Sequence, residues 1–313
     1  MKADLPDALA AARSGAPGEP GEQAIAALPG PRSILRRRLS DPRAAAGAAG
    51  YALTMQVAHP VIAAGVRDHS TFASDPWGRF FRTADYVLLL GYGDAATVAE
   101  LARNLRAVHG SIRGTDPHGN PYRALDPAAY AWVHATIAEA IVRAHHAMGT
   151  TLHREEREEF WTEWLALGDV LKVSRSELPE SWVGVGDYFA QMIEQTLENN
   201  DVVQRLRATR RFAVGGSPFG WLPSPVWAAA GVPIAPVLHF LGVGLLPAVL
   251  RARFGFRWTN AHQAAFATYC AASKASTPLL PRAVRQAGPL ALRLRRGEVG
   301  PFGVLNAGVR LTG

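Results

Sequence analysis

Helical periodicity runs along almost the whole chain, and the alternation of apolar and polar residues that is typical of strands is nearly absent. Asp75-Pro76, Asp94 and Asp126-Pro127 each stand just before apolar residues spaced three and four apart. Aspartate caps the free N–H groups of a first helical turn, and proline is tolerated there. Glycines at 91 and 93 predict the end of the first of these helices. The sequence therefore predicts an all-α fold.

The remaining periodic segments predict more helices in one domain. Further helices are expected at 43–58, 155–172, 179–200, 236–250 and 259–285, with a polar loop at 114–122. Residues 1–31 are expected to form a flexible tail with at most a short helix near residues 22–28. No internal repeat or linker follows, so residues 32–313 are expected to form a single catalytic domain.

Composition excludes several classes of protein. A hydrophobic fraction of 48% and a charged fraction of 19% in 313 residues provide a large core and exclude global disorder. The net charge of +7 comes almost wholly from arginine, but no nucleic-acid-binding motif accompanies it, so we expect no nucleic-acid partner. The single cysteine, Cys270, leaves no intrachain disulfide, and the absence of CxxCH excludes covalently attached haem.

The segment 226–250 is uncharged and apolar enough to resemble a membrane span. Pro233, Pro236 and Pro247 interrupt it, which favours a buried helical hairpin. Shallow contact with a membrane surface stays open. The N-terminal residues lack the basic and apolar regions of a signal peptide, so a cytoplasmic location, with or without membrane association, is expected.

Histidines at inward-facing helix positions are the first candidates for chemistry. His109 lies three residues after Arg106 and four after Leu105, on the apolar stripe of its helix. His134 and His145 lie on the apolar stripe of the next helix. One such histidine is usually a hydrogen-bonded core residue, but three on successive helices favour a buried partner such as a cofactor.

Two further groups could serve a cofactor. Arg79 and Thr83 are four residues apart and share a helix face with Arg82 nearby, which suits a carboxylate because guanidinium binds carboxylates in a bidentate manner. A solvated face or a phosphate clamp remain alternatives. His59 ends an alanine-rich helix before Pro60, with His69 shortly after, and it could be a helix cap or a site residue. The motifs of di-iron, zinc-protease, nucleophilic-elbow and Walker A sites are absent.

These residues, taken in order, resemble the MpaB / latex clearing protein family of oxygenases. The resemblance covers residues 32–285. It rests on Gln56-Val-Ala-His59-Pro60, His69-Ser70, Asp75-Pro76, Arg79-x-x-Arg82-Thr83, Gly91-Tyr-Gly-Asp94, Arg106-x-x-His109, Gly119-x-Pro-Tyr122, Asp126-Pro127, Trp132-Val-His134-x-Thr136, Leu178-Pro179, Tyr188-x-x-x-Met192 and Leu245-Leu-Pro247.

The resemblance implies an all-α fold around a non-covalent haem b, and O₂ chemistry on apolar, isoprenoid-like chains that includes oxidative C=C cleavage. It implies that His109 is the iron ligand and Arg106 part of its motif. It implies that Arg79 and Thr83 lie beside the haem, with His134 also near. Latex clearing proteins have a lysine where this chain has Arg82, which favours a smaller substrate. Arg82 and His59 are the expected residues of the distal, catalytic side. A haem- or lipid-binding helical protein without turnover is the alternative.

Overall fold

The computed structural model describes residues 28–69, 76–208 and 224–289, together with Ala24. Its helices are α1 (Ile34–Leu39), α2 (Pro42–Val57), α3 (Pro60–His69), α4 (Pro76–Tyr92), α5 (Ala95–Ser111), α6 (Pro127–Met148), α7 (Arg154–Val170), α8 (Trp182–Gln195), α9 (Asp201–Ala208), α10 (Ser224–Leu245), α11 (Ala248–Arg253), α12 (Asn260–Ser276) and α13 (Arg282–Arg285). Short 3₁₀ turns span Arg175–Glu177 and Thr277–Leu279, and the strands β1 (Arg113–Thr115) and β2 (Pro121–Arg123) form one antiparallel hairpin.

The predicted all-α fold is confirmed, and so are the helix starts predicted after Asp94 and Asp126. The Asp94 carboxylate accepts a hydrogen bond of 2.8 Å from the Thr97 N–H at the start of α5. The Asp126 carboxylate accepts one of 3.0 Å from the Ala129 N–H at the start of α6. Helix α4 has its predicted bounds, although the expected cap Asp75, like most of the 1–31 tail, lies outside the described residues.

Two local predictions are wrong where polar side chains bond to nearby backbone groups. The loop at 114–122 contains the β1–β2 hairpin, whose turn is closed by the Asp116 carboxylate accepting from the N–H groups of His118 and Asn120. The helix expected at 179–200 ends at Gln195, and the Asn200 side chain then caps α9 through the N–H groups of Val202 and Val203. At the end of α8 the Asn200 cap thus outweighs the helical periodicity, and at 116–120 the Asp116 side chain shapes the turn of the hairpin.

Most of the segment 226–250 lies in one long helix, α10, which ends at Leu245, rather than in the predicted buried hairpin. Pro236 lies within α10 on an exposed position, where the backbone carbonyl that a proline leaves unpaired can face solvent. The chain turns only at Pro247, which precedes α11. In the described ranges, no helix combines the length and the apolar character needed to span a membrane.

Helix α2 lies at the centre of the fold and packs most extensively against α6 and α10. Alanine and glycine make up half of its sequence, so neighbouring helices can approach its backbone closely. The closest approach is to α10 at Gly50 and Gly242. A Cβ on Gly242 would stand 2.8 Å from the Gly50 Cα and 2.9 Å from its carbonyl carbon. Trp132 and Trp161 are among the largest fully buried side chains of the core.

Gly242→Ala should destabilise the protein by about 1–3 kcal/mol, because the added methyl group meets backbone atoms that cannot rotate away. The matched control is Gly186→Ala in α8, where nothing lies within 4 Å of the added Cβ. That variant should be neutral or up to about 1 kcal/mol more stable, because alanine favours a helix. Urea unfolding of the three proteins measures both effects, and equal stability of Gly242→Ala and wild type would contradict the close crossing.

Candidate functional site

An apolar cavity of about 350 Å³ lies between α2, α4, α6 and α10. One wall is made of small α2 residues, chiefly Ala44, Ala45, Ala48, Ala49 and Ala52. The facing walls are aliphatic, from Val87 and Leu88 of α4, Ile137 and Ile141 of α6, and Leu238 and Val243 of α10. Alanine side chains do not fill the space between helices that larger residues hold apart, so the sequence of α2 itself creates the cavity.

Thr83 lies on the cavity wall contributed by α4. Arg79 precedes it by one helical turn and Arg82 by one residue on the same helix. The side chains of both arginines lie outside the described part of the chain. The structure therefore brings one member of the predicted Arg-x-x-x-Thr pair to the cavity.

His109 lies near the end of α5, and its ring stands edge-on to that of Tyr130 at 5.8 Å between centroids. Its Nδ1 is 2.7 Å from the backbone oxygen of Leu105. A carbonyl oxygen only accepts, so Nδ1 carries the proton and Nε2 carries the lone pair in the neutral ring. This is the arrangement that metal-binding histidines use. His109 is not among the residues that line the cavity.

Two buried polar atoms without hydrogen-bond partners lie near the start of α6. The first is the Tyr130 hydroxyl. Burial raises its pKa to about 12, although the positive charge of Arg106, one turn before His109, acts to lower it. The second is Nδ1 of His59. Burial lowers the pKa of this ring to about 4, although the negative charge of Asp126 acts to raise it. Unpartnered buried atoms are rare and mark places where a ligand or water can bind.

His134 is placed in the interface between α6 and α7. Its Nε2 donates to the backbone oxygen of Trp164 at 2.9 Å, and the Trp164 indole N–H donates to the backbone oxygen of His134 at 3.0 Å. The two rings stack at 5.0 Å. The third inward histidine, His145, is also buried and donates from Nε2 to the Arg38 backbone oxygen at 2.9 Å. Both imidazoles connect helices.

Two residues of the cavity wall had no role in the sequence prediction. His239 of α10 lines the cavity and packs against Phe256 at 5.9 Å between ring centroids. Gln56, at the end of α2, also lines it. His239 is the only ionisable side chain in the segment 226–250. This isolated position in an apolar segment is the sequence feature that could have marked it as a site residue. Gln56 appeared only as part of a motif, because its contacts with α6 are tertiary.

The chain belongs to the family described as ER-bound oxygenase mpaB/B'/Rubber oxygenase, catalytic domain, whose model matches residues 36–275. The match covers well over half of the chain, so the suspected family is confirmed. It is a family of oxygenases. No curated protein and no solved structure matches the chain.

Acid should destabilise the fold between pH 6.5 and pH 4, because the pKa values of buried His59, His134 and His145 are each lowered to about 4. In the unfolded chain an imidazole titrates near about 6.5. Between these values the unfolded state binds close to three more protons, so stability is fully present above pH 6.5 and falls by up to about 4 kcal/mol per pH unit below it.

Urea unfolding at several pH values between 7 and 4.5 measures this dependence. His134→Gln removes one of the three groups, so its slope should be shallower than that of wild type by about 1.4 kcal/mol per pH unit. A slope that is unchanged in this variant would contradict the depressed pKa of His134.

Proposed function

We propose that this protein is a haem-b-dependent oxygenase that uses O₂ on a small apolar substrate, of isoprenoid kind, by oxidative cleavage of a C=C bond. The observation that carries the proposal is the His109 imidazole within a chain of an oxygenase family: its Nδ1–H is held by the Leu105 carbonyl, and its Nε2 has the lone pair that iron needs. The described residues contain no group of three or more metal-ligating side chains. A porphyrin brings four ligands of its own, so one histidine suffices for it.

Further residues of the chain would suit the rest of a haem. Arg106 and Arg79 would pair with the propionates, and Thr83 would contact the ring edge from the cavity wall. The unpartnered Tyr130 hydroxyl beside the His109 ring supports a bound group at this place. His134 would hold α6 in position through its pairing with Trp164. When bound, haem supplies the activation of O₂.

The chain's own residues would bind the substrate and control protons. The apolar walls between α2, α4 and α10 would hold the substrate and exclude water. The pKa of about 4 keeps His59 neutral near pH 7, so its ring can donate or accept one hydrogen bond on the distal side. Arg82 would act there as a permanent hydrogen-bond donor. The limited volume of about 350 Å³ supports a small molecule rather than a polymer.

Binding without turnover is the second candidate function, and the apolar cavity favours it, since a lipid chain would fill the same space.

Reversible membrane contact from the cytoplasm is a related proposal. Exposed Val226, Ile234 and Val237 on α10 support it, because exposed apolar patches mark such contacts. Oxygen uptake separates an oxygenase from a protein that only binds an apolar ligand. Reduced protein should consume O₂ faster when a polyprenyl substrate is added, and an unchanged rate would favour binding alone.

Purified protein should contain about one haem b per chain, seen as a Soret band, and His109→Ala should lose most of it while remaining folded. The reason is that His109 would be the only protein ligand on its side of the iron. The control His146→Ala changes an exposed histidine of α6 and should keep the haem. Colourless wild type from haem-sufficient cells, or full haem in His109→Ala, would contradict the proposal.

The ferric iron should be largely high-spin, or low-spin through a nitrogen whose signal disappears in His59→Ala or in His69→Ala. Arg82 stands where latex clearing proteins have a lysine, and a guanidinium keeps its proton in proteins, so it has no lone pair to offer iron. Electron paramagnetic resonance of wild type and the three single alanine variants decides. A low-spin signal that survives both histidine changes and is lost only in Arg82→Ala would refute this distal site.

A further inference from the structure

Most polar side chains on the cavity wall are already engaged with the protein. Arg38 pairs with Glu156 at 2.9 Å. Ser40 donates to the backbone oxygen of Arg36 at 3.0 Å, and Thr54 donates to that of Gly50 at 2.8 Å. Thr83 and His239 have interaction partners of their own. Gln56 differs from all of these, because only one end of its amide is used.

The neighbours of Gln56 fix which way its amide points. Nε2 lies 3.0 Å from Oγ1 of Thr136 and 3.5 Å from the backbone oxygen of Val133. The Thr136 hydroxyl gives its one proton to the same Val133 oxygen at 2.8 Å. Both atoms facing the amide are therefore acceptors, and only the NH₂ end of Gln56 can face them.

The other end of the amide, Oε1, receives no hydrogen bond from any described residue. It is also not among the buried atoms sealed from solvent. Gln56 lines the cavity, so the accessible oxygen provides an acceptor at a wall that is mainly apolar. An acceptor of this kind is satisfied by a ligand that carries a donor, and it leaves a ligand without one less favoured.

We propose that Gln56 is the specificity residue of this cavity, and that its substrate class is an elongated apolar molecule with a hydroxyl group at one end. The hydroxyl donates to Oε1 of Gln56, and the chain lies along the alanine wall of α2. The inference rests on the proposed function in taking this cavity to be the substrate site. It adds the polar end of the substrate and the residue that recognises it.

The test compares 1-decanol, which has a donor, with decanal and decyl methyl ether, which have only acceptors. Titration calorimetry on the purified full chain, with whatever haem it carries, gives the three dissociation constants. We expect decanol to bind about three- to tenfold more tightly than decanal, as a net neutral hydrogen bond gives. Equal affinities, or no binding of any probe, would overturn the proposal whether or not a variant folds.

The variant Gln56→Met keeps the length of the side chain and removes the acceptor, so the preference for the alcohol should disappear. The matched control is Leu53→Met on the same wall, which should retain it. If folded Gln56→Met protein still prefers the alcohol, another group accepts the hydrogen bond and the inference is refuted. Haem content and oxygen uptake of the same samples test the proposed function separately. A protein that selects the alcohol but has neither haem nor oxygen uptake would support this inference and refute only the oxygenase function.

Discussion

The crossing of α2 and α10 at Gly50 and Gly242 is the constraint on which the rest of the structure depends. Backbone atoms meet there at distances that admit no Cβ, so the two helices are fixed relative to each other at that point. The cavity lies between the same two helices and α4 and α6, and the alanines of α2 that line it leave this space unfilled. The close contact and the cavity thus both follow from the small residues of α2. Protein interiors are otherwise densely packed, so larger side chains at these positions would fill the cavity.

Neutral buried histidines connect the helices around this centre. His134 links α6 to α7 and His145 links α6 to the end of α1, each through Nε2–H and a backbone carbonyl. A charged ring would be costly at either place, and burial accordingly lowers both pKa values. His109, the proposed ligand, has its backbone partner within its own helix, at Leu105, and its ring also contacts Tyr130 of α6.

Features fixed by local chemistry could be predicted from the sequence, and those fixed by tertiary contact could not. The caps at Asp94 and Asp126 involve residues within one turn, and the helices begin where expected. The inward direction of His134 was also predictable from its spacing, but its partner Trp164 lies 30 residues away. Proline in segment 226–250 suggested a break, although packing of α10 on α2 keeps the helix continuous. Nothing in the spacing of Gln56 revealed its contact with Thr136, 80 residues further on.

Helix α6 relates the proposed iron ligand to the cavity. Tyr130, which contacts the His109 ring, and Ile137, which lines the cavity, are seven residues apart and share a face of this helix. Seven residues correspond to a rise of about 10 Å. Gln56 reaches α6 between them, at Val133 and Thr136. A group bound at His109 would therefore lie at one end of a common face and the apolar cavity at the other, with Gln56 between them. An apolar molecule held by Gln56 would then have its anchored end, rather than its far end, nearest to the proposed iron.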